Sequence, residues 1–255
     1  MALNPNYRAY PAAGITDASV LDAGLRAYML RVYNWMASGL VLTGIVAYAI
    51  ANTSLFNVFY PLVQTPQGPM HVPGGLAYVA MFAPLAFVMV LQFGVNRLST
   101  QAAQALYWAF CVAMGASLTS IFFVYTHESI VRVFFIAAAT FAGMSLYGYT
   151  TRADLSRFGS FLIMGLIGVI VASLVNMFIG SSALQFAISV IGVLVFVGLT
   201  AYDTQRIKSD YVNTVYSYGP EMAAKRSVYD SLQLLLNFIN LFLLMLQLFG
   251  NRSSR

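Results

Sequence analysis

Acidic residues are scarce in this chain, and one of them breaks into an apolar segment. The run Gly198-Leu199-Thr200-Ala201-Tyr202-Asp203-Thr204-Gln205-Arg206-Ile207-Lys208 sets a carboxylate at the end of a stretch otherwise suited to hydrocarbon. Charge is costly there and marks a functional position by default. A second carboxylate, Asp230, opens the last apolar stretch; Gln233, Asn237 and Asn240 follow it, and Asn176 lies in an earlier stretch. Helical spacing puts Asp230 and Asn237 on one face two turns apart, with Gln233 and Asn240 close to that stripe. If Asp203 and Asp230 stand at matching depth, they cannot both stay charged cheaply, so they share a proton and form a proton-sensitive latch. In the other arrangement Asp203 pairs with Arg206 one turn on, and Asp230 sits near Lys225 and Arg226 as interfacial charge. The amides either glue helices together or line a hydrated path.

Such groups need membrane helices to hold them, and the composition supplies the helices. Of 255 residues, 60% are hydrophobic and 8% are charged, with mean hydropathy +0.75; a soluble domain carries about 25% charge. Seven segments approach the roughly 20 residues that a helix needs to cross a bilayer. They run from Val32 to Ile50, Leu76 to Phe93, Leu106 to Tyr125, Ile130 to Tyr147, Phe158 to Ile179, Leu184 to Tyr202 and Ser227 to Phe249. None alternates apolar and polar as a barrel strand does. The expected fold is an all-α polytopic bundle of seven transmembrane helices. The seventh is expected at the centre, because its four polar side chains would be costly facing lipid.

Lys and Arg are unevenly divided between the loops. Arg8, Arg26, Arg31, Arg97, Arg152, Arg157, Arg206, Lys208, Lys225 and Arg226 fall on one side, and Arg132, Arg252 and Arg255 on the other. By the positive-inside rule the amino terminus is cytoplasmic. Residues 1–31 are then a cytoplasmic tail without a signal-peptide core, residues 32–249 one membrane domain, and residues 250–255 a short tail on the far side. Arg252 and Arg255 argue weakly against that side, leaving open a seventh segment that fails to cross. The net charge of +5 needs no nucleic acid; it sets topology and favours anionic headgroups.

The loop from Ala51 to Gly75 holds Pro61, Pro66, Pro69 and Pro73 and is expected to be an irregular external cap, and Thr204 to Arg226 an internal loop. Ala138 with Ala142, Ala139 with Gly143, and Ala116 with Ser120 have small-xxx-small spacing that lets helices approach. Enzyme chemistry finds little material. The lone Cys111 lies in the third span, the two histidines are His71 and His127, and no HExxH, phosphate-loop or GxSxG motif is present. No cofactor and no catalytic residue are expected.

Four ordered motifs carry a family resemblance: Ser145-Leu146-Tyr147-Gly148-Tyr149-Thr150-Thr151, Met164 to Asn176, Gly198 to Lys208, and Asn237-Phe238-Ile239-Asn240-Leu241-Phe242. From the first span onward the chain resembles a bacterial member of the Bax inhibitor motif family. The resemblance implies six helices around a seventh and a pH-sensitive calcium leak across the bacterial inner membrane. It also implies a sensor of two aspartates, one matched by Asp203; the other falls on Asn237, which cannot titrate, so Asp230 is the candidate substitute. An arginine after the second helix that engages the aspartates is matched by Arg97. Some family members associate with a membrane protease, so a non-transporting regulator is the alternative function.

Overall fold

The computed structural model describes residues 13–65, 68–95, 97–213 and 219–253, with side chains from residue 20 onward. In chain order the elements are α1 (Ala13–Ala51), α2 (Leu55–Phe59), β1 (Leu62–Thr65), β2 (Gly68–His71), α3 (Gly75–Gly94), α4 (Thr100–Leu118), α5 (Ile121–Val124), α6 (His127–Thr150), α7 (Ser156–Ile179), α8 (Ser182–Asn213) and α9 (Gly219–Phe249). Among the described residues seven helical spans are long and apolar enough to cross a membrane, α4 and α5 together forming the third. The protein is an all-α polytopic bundle.

Three parts differ from expectation. The proline-rich segment is ordered: the short α2 leads into an antiparallel hairpin with Leu62 opposite His71 and Val63 opposite Met70. Residues 13–31 are helical, in one continuous α1, although they were expected as a tail. The segment Thr204 to Arg226 is mostly helix as well, since α8 runs on to Asn213 and α9 begins at Gly219. Tyr28, Asp210 and Arg226 of these extensions meet partners across helices, as described below.

The bundle core is largely apolar with a few buried polar side chains, and the outer faces are apolar as well. Only 17% of the most apolar window of α7 is buried, against 61% of that of α9. α9 packs chiefly on α1, α4, α6 and α8, while α3 packs on α4 and α7 on α8. Leu234, Leu235, Phe238, Leu241 and Leu246 of α9 are at most 2% exposed, and Phe238 meets Phe134 and Phe141 of α6 edge to face, each at 5.6 Å between centroids. Each aromatic pair of this kind adds about 0.5–1.5 kcal/mol beyond area burial.

Turns fix the order of the spans. Gly180, at φ +67°, ends α7 in the left-handed conformation that favours glycine. At the start of the same helix the backbone N–H of Ser156 donates to Asp154 Oδ1 at 2.9 Å and holds that exposed carboxyl below the usual carboxylate range. The chain after α9 returns to the α5–α6 turn: Thr126 N donates to Asn251 O at 3.1 Å and Ser253 N to Val124 O at 2.9 Å. That turn lies at the opposite end of the bundle from the α6–α7 turn, so α9 crosses completely. Cysteines placed at Ala153 and Ser253, on a background whose only thiol is the buried Cys111, are expected to label from opposite faces of the membrane; labelling of both from one face overturns this topology.

Close approach is made by a residue that spacing did not single out. A Cβ on Gly148 would meet the Ala201 backbone oxygen, with Ala201 C and Cα each at 2.9 Å, whereas one on Gly143 would meet nothing within 4 Å. The small residues Ala138 and Ala142 instead line an open cleft. Gly148→Ala is therefore expected to destabilise the bundle by about 1–3 kcal/mol, seen as a lower melting temperature in detergent, while Gly143→Ala leaves it unchanged.

Candidate functional site, a buried carboxylate between two helices

Asp203 lies on α8 where the helix faces α9, and it is 1% exposed. Its partners come from both helices. Arg206, one turn on, places Nη2 at 3.0 Å from Oδ1; Asn237 Nδ2 donates to Oδ2 at 2.7 Å, and Gln233 Nε2 to the same oxygen at 3.3 Å. A buried carboxylate without such donors would cost several kcal/mol, so this match permits the acid to sit there. Asn237 and Gln233 are one turn apart on α9, so a single helix face supplies both amides. Arg206 Nε is buried without a hydrogen-bond partner among the described residues, so the cluster keeps one donor in reserve.

The residues after Asp203 fasten α8 to α6. Thr204 Oγ1 lies 3.0 Å from Ser145 Oγ, which lies 2.5 Å from the hydroxyl of Tyr33 on α1. Gln205 accepts from Leu155 N and donates to Ala153 O, both at 2.8 Å, clamping the α6–α7 turn. Lys208 Nζ donates to Tyr149 O at 2.9 Å. One polar run thus presents Asp203 to α9 and its neighbours to α6, with the close Gly148–Ala201 contact beside it.

Asp230 belongs to a second cluster. Its carboxylate, 3% exposed as a residue, accepts from the Tyr28 hydroxyl at 2.5 Å and from Arg226 Nε at 3.3 Å. Arg226 also reaches Asp210 of α8 at 3.3 Å. The Tyr28 ring stacks on Tyr211 with centroids 4.7 Å apart. This cluster ties α1, α8 and α9 together next to the first; among the described residues Asp230 and Asp203 share no hydrogen-bond partner.

The remaining expected residues are dispersed. Arg97 is exposed in the α3–α4 turn, and the guanidinium at Asp203 is that of Arg206, because α3 packs on α4 at the edge of the bundle. Asn240 donates to Leu236 O of its own helix at 2.8 Å. Asn176 lies at the far end of the bundle in an amide group: its Nδ2 donates to Gln185 Oε1 at 3.0 Å, and Gln185 Nε2 donates to Gln247 Oε1 at 2.6 Å. From Ser189, which donates to Gln247 at 3.0 Å, to Asp203 is about 21 Å along α8. The α8 surface between these polar ends carries Gly192, Val195, Phe196 and Leu199, all buried, and a Cβ on Gly192 would lie 2.8 Å from Leu244. The interface is polar at both ends and tightly apolar between.

Tyr28, Tyr33, Gln233 and Ser145 enter this arrangement without having been picked out as site residues. Tyr28 gave no signal, since it fell in the expected tail, whereas Gln233 stood on the α9 stripe and Ser145 opened a motif. Asn237→Leu should leave the Asp203 carboxylate short of its nearest donor and lower stability by about 1.5–3 kcal/mol; Asn240→Leu, which breaks only an intrahelical bond, should change it little. Thermal unfolding of the two purified variants makes the comparison.

A family model described as inhibitor of apoptosis-promoting Bax1 matches residues 25–254. The Escherichia coli inner membrane protein YbhL is 43% identical over 235 residues, covering 90% of this chain and 94% of that protein. A protein of Caulobacter vibrioides is 45% identical over 249 residues, 97% of each chain. A Streptococcus pyogenes membrane protein is 34% identical over 229 residues, covering 90% of this chain and 94% of its own.

Proposed function

The chain belongs to the Bax inhibitor-1 family, and from that premise we propose that it is a calcium leak pathway rather than an enzyme. It is gated where Asp203 holds α8 to α9. The carrying observation is the carboxylate itself, 1% exposed and shared between an amide of α9 and an arginine of α8. Calcium prefers oxygen ligands, including carboxylates and side-chain amide carbonyls. Asp203 presents its carboxylate there; an entering cation competes with Arg206 and with the N–H groups of Asn237 and Gln233 for those oxygens, and the two amides must turn to offer their carbonyls. One carboxylate makes a weak site, which suits transit better than capture. The apolar stretch between the two polar ends makes the described conformation the closed one.

Asn237 stands where the resemblance puts a second aspartate, so the α9 side of this contact brings amides to Asp203. The likeness to YbhL supports the bacterial inner membrane, and the basic loops support a cytoplasmic location for the end that bears Asp203.

Calcium flux into proteoliposomes across a pH series tests this reading. Asp203→Asn is expected to change the basal leak several-fold and to flatten the remaining pH response. Asn237→Asp is expected to steepen that response, because two carboxylates then face each other in a water-poor site. Asp230→Asn is expected to leave it in place, since that carboxylate is held by Tyr28 and Arg226; loss of the pH response in this variant would instead make Asp230 the second acid. Absence of flux from the unaltered protein overturns the leak and favours a regulator that binds a partner such as a membrane protease.

A further inference from the structure

A cleft of about 630 Å³ opens between α1 and α6, with Phe238 of α9 among its lining residues. Its size is that of a ligand site. Met29, Met36, Phe141 and Leu146 make its walls apolar. It is not part of the Asp203 cluster, although the Tyr33 and Ser145 hydroxyls on its wall connect to Thr204.

Depth and charge decide what fits. Along α1 the lining runs from Arg26 to Leu40, about 21 Å, more than the roughly 15 Å of one hydrocarbon leaflet. Counting back from Ala51, about 30 Å of α1 ends near Val32. Arg26 therefore lies a further two turns out, at headgroup level, while Tyr33 to Leu40 lie at acyl-chain level. Arg26 is exposed and forms no ion pair among the described residues, even with Asp22 one turn before it. On the opposite wall Tyr149 carries a second cation, with Lys208 Nζ 5.1 Å from its ring centroid.

We propose that this cleft binds an anionic phospholipid, one acyl chain lying between α1 and α6 and the phosphate resting on Arg26. A guanidinium matches phosphate geometry with two parallel hydrogen bonds. The apolar walls accept a flexible chain without leaving a polar group unpaired. The cleft runs from headgroup level to acyl-chain level with an exposed cation at its outer end, the shape and charge of a phospholipid rather than of a soluble solute.

The full-length protein is reconstituted in vesicles of equal phosphatidylglycerol and phosphatidylcholine carrying a photoactivatable acyl chain, and labelled peptides and bound lipids are identified by mass spectrometry. The expected result is labelling on α1 and α6 and about fivefold enrichment of phosphatidylglycerol. Arg26→Gln should keep the labelling and abolish the enrichment, while Arg31→Gln, at a residue that lines other clefts and not this one, should change neither. Ala37→Leu combined with Ala142→Leu adds bulk at two exposed cleft positions and should cut labelling several-fold in a protein of unchanged melting temperature. Labelling spread evenly over the lipid-facing helices, labelling untouched by the double substitution, or enrichment that survives Arg26→Gln overturns the proposal.

Discussion

A carboxylate buried inside a bundle that lipid surrounds has no water to fall back on, so every donor it needs must come from protein. Asp203 obtains them from Arg206 on its own helix and from Asn237 and Gln233 on the next. That requirement fixes the rotation of α9 about its axis, because only one face carries the two amides. It also fixes the height of α8 against α9, because the guanidinium and the amides must converge on one pair of oxygens. Once this register is set, Phe238 falls between the α6 aromatics and Tyr28 reaches Asp230. The neutral surface between the two polar ends has no such exacting demands and simply packs.

The two acidic clusters divide the labour differently. Arg226 is about one-third exposed and joins two carboxylates at 3.3 Å; its pair with the partly exposed Asp210 is open to solvent and contributes little on its own, whereas Asp230 is buried. Its companion contacts are of another kind, since Tyr28 places an uncharged donor on Asp230 and a stacked ring on Tyr211. The Asp203 cluster relies on directional hydrogen bonds, with the Tyr202 ring centroid 6.0 Å from the Arg206 guanidinium carbon.

Much of the fold was legible in the chain because membrane helices announce themselves by length and apolarity, and the seven expected spans correspond to the seven that the structure contains. The ends were not legible. Asp210, Lys225 and Arg226 look like loop residues when each is counted alone, yet they lie within α8 and α9, and the Asp210–Arg226 pairing is a fact of three dimensions. The hairpin after α2 escaped notice because four prolines suggest irregularity. At the site, the carboxylate in an apolar run pointed to Asp203; periodicity set Asn237 and Asp230 on one stripe of α9, but they serve separate clusters, Asn237 on Asp203 and Asp230 on Tyr28 and Arg226. The pairing of Asp203 with Arg206 one turn on was one of the two arrangements the spacing allowed and is the one present, whereas Arg97, suggested by the resemblance, is exposed in the α3–α4 turn. Small-residue spacing picked out Ala138 and Ala142, which line a cleft, and passed over Gly148, where α6 touches α8, because spacing within one helix does not say what stands opposite.

The unequal self-sufficiency of the spans bears on how the protein is made. α7 is apolar enough to enter lipid unaided, but α9 brings Asp230, Gln233, Asn237 and Asn240 into the membrane, and the side-chain partners of the first three come chiefly from α1 and α8. Synthesis runs from the amino terminus, so those partners are already in the bilayer when α9 emerges from the ribosome. Chain order therefore delivers the least lipid-compatible helix last, into a socket that its predecessors have prepared, and a ribosome that stalled before residue 219 would leave Asp203 without its amides.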